Sequence, residues 1–161
     1  MPISVGDTLP SADFTTMTDD GPAKLSVADI FTGKKVVLVA VPGAFTPTCH
    51  ANHLPGFVEH ADAIMEKGVD TIAVTSVNDV HVMGAWAAAS GGKDKVTFLA
   101  DGNAEFAKAV GLDIDLNVAG MGVRSLRYAM IVEDGKVTAL NLEDNPGHAD
   151  ISSAAGILAL L

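Results

Sequence analysis

The chemistry of this chain centres on Cys49, the only cysteine among 161 residues. It closes the segment PGAFTPTC, which begins at Pro42 and carries Thr46 three residues before the sulfur. A thiolate is a nucleophile, and backbone N–H groups at a helix start favour the anion over the thiol. Without these neighbours, a lone cysteine is more often a small buried hydrophobe. The segment therefore indicates nucleophilic or redox chemistry.

The residues flanking this segment predict a strand that leads into it and a helix that leaves it. The strand is the apolar run 36–41, and Pro42 ends it because proline has no N–H to donate to a sheet. Gly43 opens a loop, after which Cys49 lies at the helix start. Pro55 then predicts a kink or a restart. Helical spacing is carried by Leu54, Phe57, Val58, Ala61, Ile64 and Met65.

The remaining sequence alternates between patterns typical of strands and helices. A short strand is predicted from Phe14, and others at 69–77, 96–100, 127–133 and 136–141. Helices are predicted at 27–31, 79–90, 104–110 and about 150–160, and the second of these is expected to bury Val82, Met83, Trp86 and Ala89 on one face. Because an antiparallel hairpin closes this alternation, we expect one α/β domain over 1–161 with a mixed central sheet and helices on both faces.

A family resemblance rests on these residues. Pro42 to Cys49 matches the Pro-x-x-x-Thr-x-x-Cys motif of peroxiredoxins residue for residue, and VPGAFTPTC followed by HLPGFV resembles their type II (peroxiredoxin V) branch. The likeness runs from Val5 to Asn141 and beyond. It implies a thioredoxin-like fold and a thiol-dependent peroxidase whose cysteine thiolate attacks hydrogen peroxide or an alkyl hydroperoxide and becomes a sulfenic acid.

Peroxide cleavage moves negative charge from sulfur to the departing oxygen, so the site needs hydrogen-bond donors aimed at both oxygens. The local candidates are the backbone N–H groups from Gly43 to Cys49 and the hydroxyl of Thr46, which can also orient the peroxide proton. Alternatively, Thr46 caps the following helix. By resemblance to its family counterpart, Pro42 shields the sulfur from bulk water.

The local segment has no cation, and the resemblance supplies one. In the family an arginine at the start of the hairpin strand contacts both the cysteine and the peroxide, and Arg127 stands at that place. Arg124 is the competing candidate, but we expect it to lie in the preceding loop. A surface ion pair is the other reading of Arg127.

Two histidines follow the cysteine. Cys49 and His53 are four residues apart, which lets both face one metal on a helix, but zinc takes three or four protein ligands and no second cysteine or paired histidines lie near. We therefore predict no metal and no cofactor. His53 resembles a histidine of the type II branch and either tunes the sulfur or bonds to backbone, whereas His50 does not belong to that pattern.

Two-cysteine relatives form a disulfide with a second cysteine, but here the sequence 150–153 near the C-terminus is DISS. An external thiol must then reduce the sulfenic acid, with glutathione and glutaredoxin favoured and thioredoxin possible. A glutathione-linked redox sensor or relay, and a non-catalytic thioredoxin-like binding module, stay open as alternatives. Family likeness suggests a homodimer with the active-site loops near the interface.

The net charge and the composition indicate which classes of partner are unfavourable and which cellular compartment is expected. The formal charge of −10 disfavours nucleic acid and anionic membrane surfaces. No apolar run approaches the ~20 residues that span a bilayer, and no secretory signal is visible at the start. With a single cysteine, these features predict a soluble cytoplasmic protein. A processed organellar protein is the alternative.

Overall fold

The computed structural model describes residues 2–161. Its strands are β1 (Asp13–Thr18), β2 (Gly21–Ser26), β3 (Lys35–Ala40), β4 (Thr71–Ser76), β5 (Thr97–Ala100), β6 (Asp113–Asp115), β7 (Val123–Ser125), β8 (Tyr128–Glu133) and β9 (Lys136–Leu142). Its helices are α1 (Val27–Phe31), α2 (Leu54–Glu59), α3 (Ala61–Glu66), α4 (Val80–Ser90), α5 (Glu105–Ala109) and α6 (Ala154–Leu158), with a π-helical turn at Cys49–His53 and a 3-10 turn at Asn117–Ala119.

Seven strands form one mixed sheet in the order β2-β1-β5-β4-β3-β8-β9, while β6 and β7 pair separately. Strands β3, β4 and β5 are parallel neighbours, and α2, α3 and α4 lie in the crossovers that parallel pairing requires. Strands β8 and β9 extend the sheet antiparallel to β3. The predicted mixed sheet is confirmed.

Helices cover both faces of this sheet, as predicted. Along β3, Val37 and Val39 point into one core and Val36 and Leu38 into the other. The first core holds residues of α2, α3, α4 and α6, and the second holds residues of α1 and α5. None of the helices within residues 2–161 combines the length and apolarity needed to cross a membrane.

Several element predictions need correction. The strand predicted from Phe14 is paired with β2, which the sequence did not reveal because β2 (GPAKLS) lacks an apolar alternation. The last helix begins at Ala154 and not near 150, since the Ser153 side chain accepts a hydrogen bond from Gly156 N and caps it there. In α4, Met83 and Trp86 are buried as expected, but Ala89 is exposed.

The restart predicted at Pro55 is present. The turn before it is π-helical, closed by a bond from Leu54 N–H to the Cys49 carbonyl, and α2 begins at Leu54. Proline has no N–H to donate to the carbonyl four residues back, which explains a local departure from α-helical bonding. A second break at His60 separates α2 from α3.

Candidate active site

Cys49 lies where the chain leaves β3 and enters its helical segment. Helical bonding starts at Pro47, and the His50 N–H donates to the Thr46 carbonyl at 2.8 Å. Cys49 thus occupies the first turn, as predicted, and 0% of its surface is exposed. The sulfur is therefore held away from bulk water beside the positive end of a helical turn.

Arg127 lies directly against this sulfur. It immediately precedes β8, it is only 2% exposed, and its Nη2 donates to Cys49 Sγ at 2.8 Å. Its Nε donates to the Pro146 carbonyl at 2.8 Å and its Nη1 to His53 Nδ1 at 2.8 Å. The ion pairs in residues 2–161 are Lys35–Glu133 and Lys93–Asp19, so Arg127 pairs with no described carboxylate. Its charge is thus available to a thiolate.

His53 supports Arg127 from behind. Because an arginine only donates, His53 Nδ1 is the acceptor, and the proton must sit on Nε2, which lies 2.8 Å from the Ser152 carbonyl. Burial lowers the pKa of His53 to about 4; the Ser152 bond opposes this shift and the Arg127 charge adds to it. At pH 7 the His53 ring is therefore uncharged, and its Nδ1 can accept the hydrogen bond from Arg127.

Glu143 and Ser152 complete the polar side of the site, and sequence reasoning missed both. Glu143 is 8% exposed, and its Oε2 accepts from Ser152 N at 2.7 Å and from Ser152 Oγ at 2.6 Å. An acidic residue after a strand and a serine in a loop are ordinary on a surface, so neither carried a sequence signal.

Thr46 points its hydroxyl back into its own loop. Its Oγ1 donates to the Gly43 carbonyl at 2.7 Å, and the side chain is half-buried. A Cβ on Gly43 would lie 3.0 Å from Thr46 Cγ2 and 3.3 Å from Arg124 Nη1, so glycine is needed for this close approach. Because the hydroxyl proton is donated to the Gly43 carbonyl, the oxygen of Thr46 still has lone pairs that can accept a hydrogen bond from a ligand.

Arg124 belongs to β7, so the expectation of a loop position is wrong. The residue pairs with Ile114 of β6. Its Nε donates to Met121 O at 2.8 Å and its Nη1 donates to Val77 O at 3.1 Å and Pro42 O at 3.5 Å. Arg124 therefore ties the Pro42 loop to its neighbours, whereas Arg127 contacts the sulfur.

The two histidines of the π turn have separate partners. His50 Nδ1 accepts from Trp86 Nε1 at 3.0 Å, and its ring centroid lies 5.3 Å from that of the exposed Phe45. Both nitrogens of His53 are already bonded, so the Cys49–His53 spacing does not form a metal site here. Residues 2–161 contain no cluster of three or more potential metal ligands.

An open depression of about 290 Å³ leads to the site. Its lining is largely apolar, and the residues with polar side chains there are Thr46, Thr48 and Arg127. It is lined by Pro42, Thr46, Pro47, Thr48, Leu116, Met121, Arg127, Pro146 and Gly147. Pro42, one of these lining residues, is itself buried. Arg127 links the depression to the sulfur, because it lines the depression and also donates to the buried sulfur.

The chain is similar to known proteins in both sequence and structure. The Redoxin family profile matches residues 4–158. Peroxiredoxin-2C of Oryza sativa subsp. japonica is 47% identical over 163 residues, covering 99% of each chain, and Peroxiredoxin-2B of Arabidopsis thaliana is 44% identical over 161 residues with 99% of each covered. The structure of reduced Prx3 from Vibrio vulnificus in complex with hydrogen peroxide has a TM-score of 0.93 at 49% identity, with 98% of each chain covered. The Plasmodium falciparum antioxidant protein, a 1-Cys peroxiredoxin, has a TM-score of 0.90 at 27% identity, again with 98% of each covered.

Proposed function

The chain belongs to the type II peroxiredoxins and is a thiol peroxidase, and we propose that it reduces hydrogen peroxide and alkyl hydroperoxides at Cys49 and is recycled by glutathione and glutaredoxin. The observation that carries the proposal is the 2.8 Å bond from Arg127 Nη2 to Cys49 Sγ. A buried guanidinium without a carboxylate partner stabilises the thiolate and the negative charge that leaves it.

The reaction is a displacement at oxygen. The thiolate of Cys49 attacks the terminal oxygen of the peroxide, an S–O bond forms, and the O–O bond breaks. The electron pair leaves with the far oxygen, which takes a proton and departs as water or alcohol, and the cysteine becomes a sulfenic acid. In this mechanism Arg127 donates to the sulfur, as it does in the structure, and also to the peroxide as charge moves between them.

Thr46 and the surrounding loop bind the peroxide in this proposal. The Thr46 hydroxyl already donates to Gly43 O, so it accepts the O–H of the peroxide and turns the terminal oxygen toward sulfur. Backbone N–H groups between Gly43 and Cys49 are the candidate donors to the peroxide oxygens. Pro42 excludes water, which strengthens each of these bonds.

The rim of the depression supports organic hydroperoxides as substrates. Leu116, Met121 and Pro146 offer apolar surface at the entrance, and an alkyl group gains about 0.8 kcal/mol for each methylene that it buries. Hydrogen peroxide lacks such a group, so this rim contributes to the binding of organic substrates alone.

Recycling by an external thiol follows from the absence of a second cysteine. Glutathione condenses with the sulfenic acid, releasing water and leaving a mixed disulfide at Cys49. A glutaredoxin thiolate then attacks the glutathionyl sulfur and frees the Cys49 thiolate. Because Cys49 is fully buried, glutathione needs a local opening, and the π-helical turn is the segment we expect to move.

The assembly and compartment are also part of the proposal. A single cysteine suits a reducing cytoplasm. Likeness to the peroxiredoxin family supports a homodimer with the active-site loops near the interface, and Phe45, which is 45% exposed in one of these loops, would lie there. Size-exclusion chromatography with light scattering measures the assembly directly, and a monomer at all concentrations would refute the dimer.

A single-turnover experiment tests the catalytic part. Reduced protein is mixed with one equivalent of hydrogen peroxide in a stopped-flow instrument without added thiol, beside the Cys49→Ser variant. We expect the wild-type protein to consume the peroxide and to carry one added oxygen at Cys49 by mass spectrometry. Fast consumption by Cys49→Ser would refute the assignment, since an alcohol is not ionised at neutral pH.

A second experiment tests recycling. Steady-state peroxide consumption is compared with glutathione plus glutaredoxin and with thioredoxin plus its reductase, and trapped protein is weighed intact. A glutathione adduct and faster turnover with glutaredoxin are expected. Full turnover with thioredoxin and no adduct would refute the glutathione route, and oxidation without sustained turnover would favour the sensor or relay.

A further inference from the structure

A continuous series of hydrogen bonds connects the reactive sulfur to a carboxylate that the reaction itself does not use. Arg127 bonds to Cys49 Sγ and to His53 Nδ1, each at 2.8 Å, and His53 Nε2 bonds to Ser152 O at 2.8 Å. Ser152 N then donates to Glu143 Oε2 at 2.7 Å. Each member is at most 8% exposed, so water does not compete along the series.

Every bond in the series has a fixed direction. Arginine only donates, so His53 receives at Nδ1 and donates from Nε2 to the Ser152 carbonyl. The N–H and the hydroxyl of Ser152 both point into Glu143, which accepts from both at Oε2. A change at Glu143 is therefore passed to His53 through the backbone of one residue, Ser152.

We propose that Glu143 is a positioning residue for peroxide reduction: its carboxylate anchors Ser152, whose carbonyl holds the His53 ring in place, and that ring in turn aims Arg127 at Cys49. This inference rests on the proposed role of Cys49 as the nucleophile. Glu143 touches neither sulfur nor peroxide, so it acts only through its neighbours.

Burying a carboxylate is costly unless its bonds are worth more than its hydration. Glu143 makes two short bonds to one residue, and its charge raises the pKa of His53, against the effect of Arg127. When Cys49 is oxidised to a neutral sulfenic acid, Arg127 loses its anionic partner, and Glu143 stays as a buried negative charge in the same network.

A purely structural role would also anchor residues 143–152, and the chain offers a control for it. Asn141 Nδ2 donates to Ile151 O at 2.8 Å, one residue before Ser152, and has no described bond to the His53 network. Asn141→Ala removes one bond from the Ile151–Ser152 peptide group but leaves both bonds from Ser152 to Glu143 in place. If Glu143 only anchors the segment, its variants and Asn141→Ala should behave alike. If Glu143 positions His53, only its own variants should change His53.

The test uses full-length Glu143→Ala, Glu143→Gln and Asn141→Ala. Three quantities are measured: the single-turnover rate with hydrogen peroxide, the thiolate absorbance at neutral pH, and the His53 tautomer by nitrogen NMR. We expect Glu143→Ala to react about tenfold more slowly, the scale at which partners behind an oriented histidine act, with less thiolate and a mixed tautomer. Glu143→Gln keeps an acceptor oxygen and is expected to restore the rate and the tautomer.

Asn141→Ala is expected to keep the wild-type rate and tautomer even if the midpoint of urea unfolding falls. A wild-type tautomer in Glu143→Ala, or equal slowing in Asn141→Ala, would overturn the proposal. If Glu143→Ala does not fold, Glu143→Asp replaces it, since it keeps the charge but shortens the reach, and the same losses are expected. The tautomer readout needs no turnover, so an inactive wild-type protein would refute the proposed function while the Glu143 linkage is still decided.

Discussion

The two sides of the Cys49 sulfur differ in composition, burial and origin. Behind it lies a polar wall, defined as Arg127, His53, Ser152 and Glu143, buried and joined by hydrogen bonds. In front lies an apolar mouth, defined as Pro42, Thr46, Pro47, Leu116, Met121 and Pro146. We propose a division of labour, in which the wall donates to the sulfur and the mouth admits and orients the peroxide.

The wall is assembled from parts of the chain that are distant in sequence. Arg127 immediately precedes β8, His53 ends the π turn, and the Glu143–Ser152 segment follows β9. Much of the mouth, by contrast, comes from the single run 42–47. Substitutions in the wall should therefore slow the reaction with every peroxide. Substitutions in the outer mouth should slow the reaction only with peroxides that contact it.

Removing the Arg127 side chain from the wall should cause the largest loss in the rate of reaction with peroxide. Arg127→Ala removes the donor to sulfur and leaves the thiolate buried without a cation, so the peroxide rate should fall between about 10² and 10³-fold. Stopped-flow mixing with hydrogen peroxide measures this rate. Arg124→Ala is the matched control, because Arg124 binds only carbonyls. Equal losses in the two variants would mean that loop support matters more than contact with sulfur.

Removing the one hydroxyl of the mouth should have the next largest effect. Thr46→Val keeps the volume of the side chain but loses the acceptor, and a preorganised transition-state bond is worth roughly 3 kcal/mol, about a hundredfold in rate. Thr46→Ser keeps the hydroxyl and should react faster than Thr46→Val. A Thr46→Val variant as fast as the wild-type protein would leave Thr46 with a structural role alone.

Acid should lower the stability of the folded protein because His53 is buried in the polar wall. Burial lowers the pKa of His53 to about 4. At pH 7 the His53 ring is therefore uncharged in both the folded and the unfolded chain, and the free energy of unfolding is unaffected. As the pH falls below the ordinary value for histidine, the unfolded chain gains a proton that the folded protein does not bind. Between neutral pH and pH 4 this costs about 3 kcal/mol of unfolding free energy.

Urea unfolding at several pH values measures this loss. His53→Gln removes the titrating ring and should show a correspondingly shallower decline of stability with acid. The comparison cancels the contribution of carboxylates, which both proteins share. Identical pH profiles for the two proteins would contradict a buried neutral His53.

The smallest expected effect is at the outer mouth. Met121→Ser removes apolar surface, so the KM for an alkyl hydroperoxide should rise roughly fourfold, the equivalent of about one buried methylene. The rate with hydrogen peroxide should not change. Val118→Ser is the control, since Val118 is fully exposed nearby in the 3-10 turn. An equal change with hydrogen peroxide would show that the mouth is not selective.

The sequence predicted the mouth better than the wall for a physical reason. The motif residues of the mouth are close in sequence, so their spacing shows that they meet at one strand-to-helix junction. Arg127 was found through family resemblance, since no local pattern links it to a cysteine 78 residues away. Glu143 and Ser152 gave no signal, because their burial depends on where the chain after β9 packs.

The fold shows the same contrast between local and tertiary information. The helix at 27–31 and the hairpin of 127–133 with 136–141 were predicted, because the Ser26–Asp29 capping box and the Asp134-Gly135 turn that define them are each encoded within a few residues. Strand β2 was missed because pairing with β1 defines it, not its own composition. The π-helical form of the turn at Cys49 was also beyond the sequence, which indicated only a disruption at Pro55.

One measurement tests the division of labour most directly. The ultraviolet thiolate absorbance at neutral pH and the single-turnover rate with hydrogen peroxide are determined on the wild-type protein, Arg127→Ala and Thr46→Val. We expect Arg127→Ala to lose both thiolate and rate, and Thr46→Val to keep its thiolate while it loses rate. If Arg127→Ala keeps the wild-type thiolate, or Thr46→Val loses thiolate in proportion to rate, the wall and the mouth do not have separate roles.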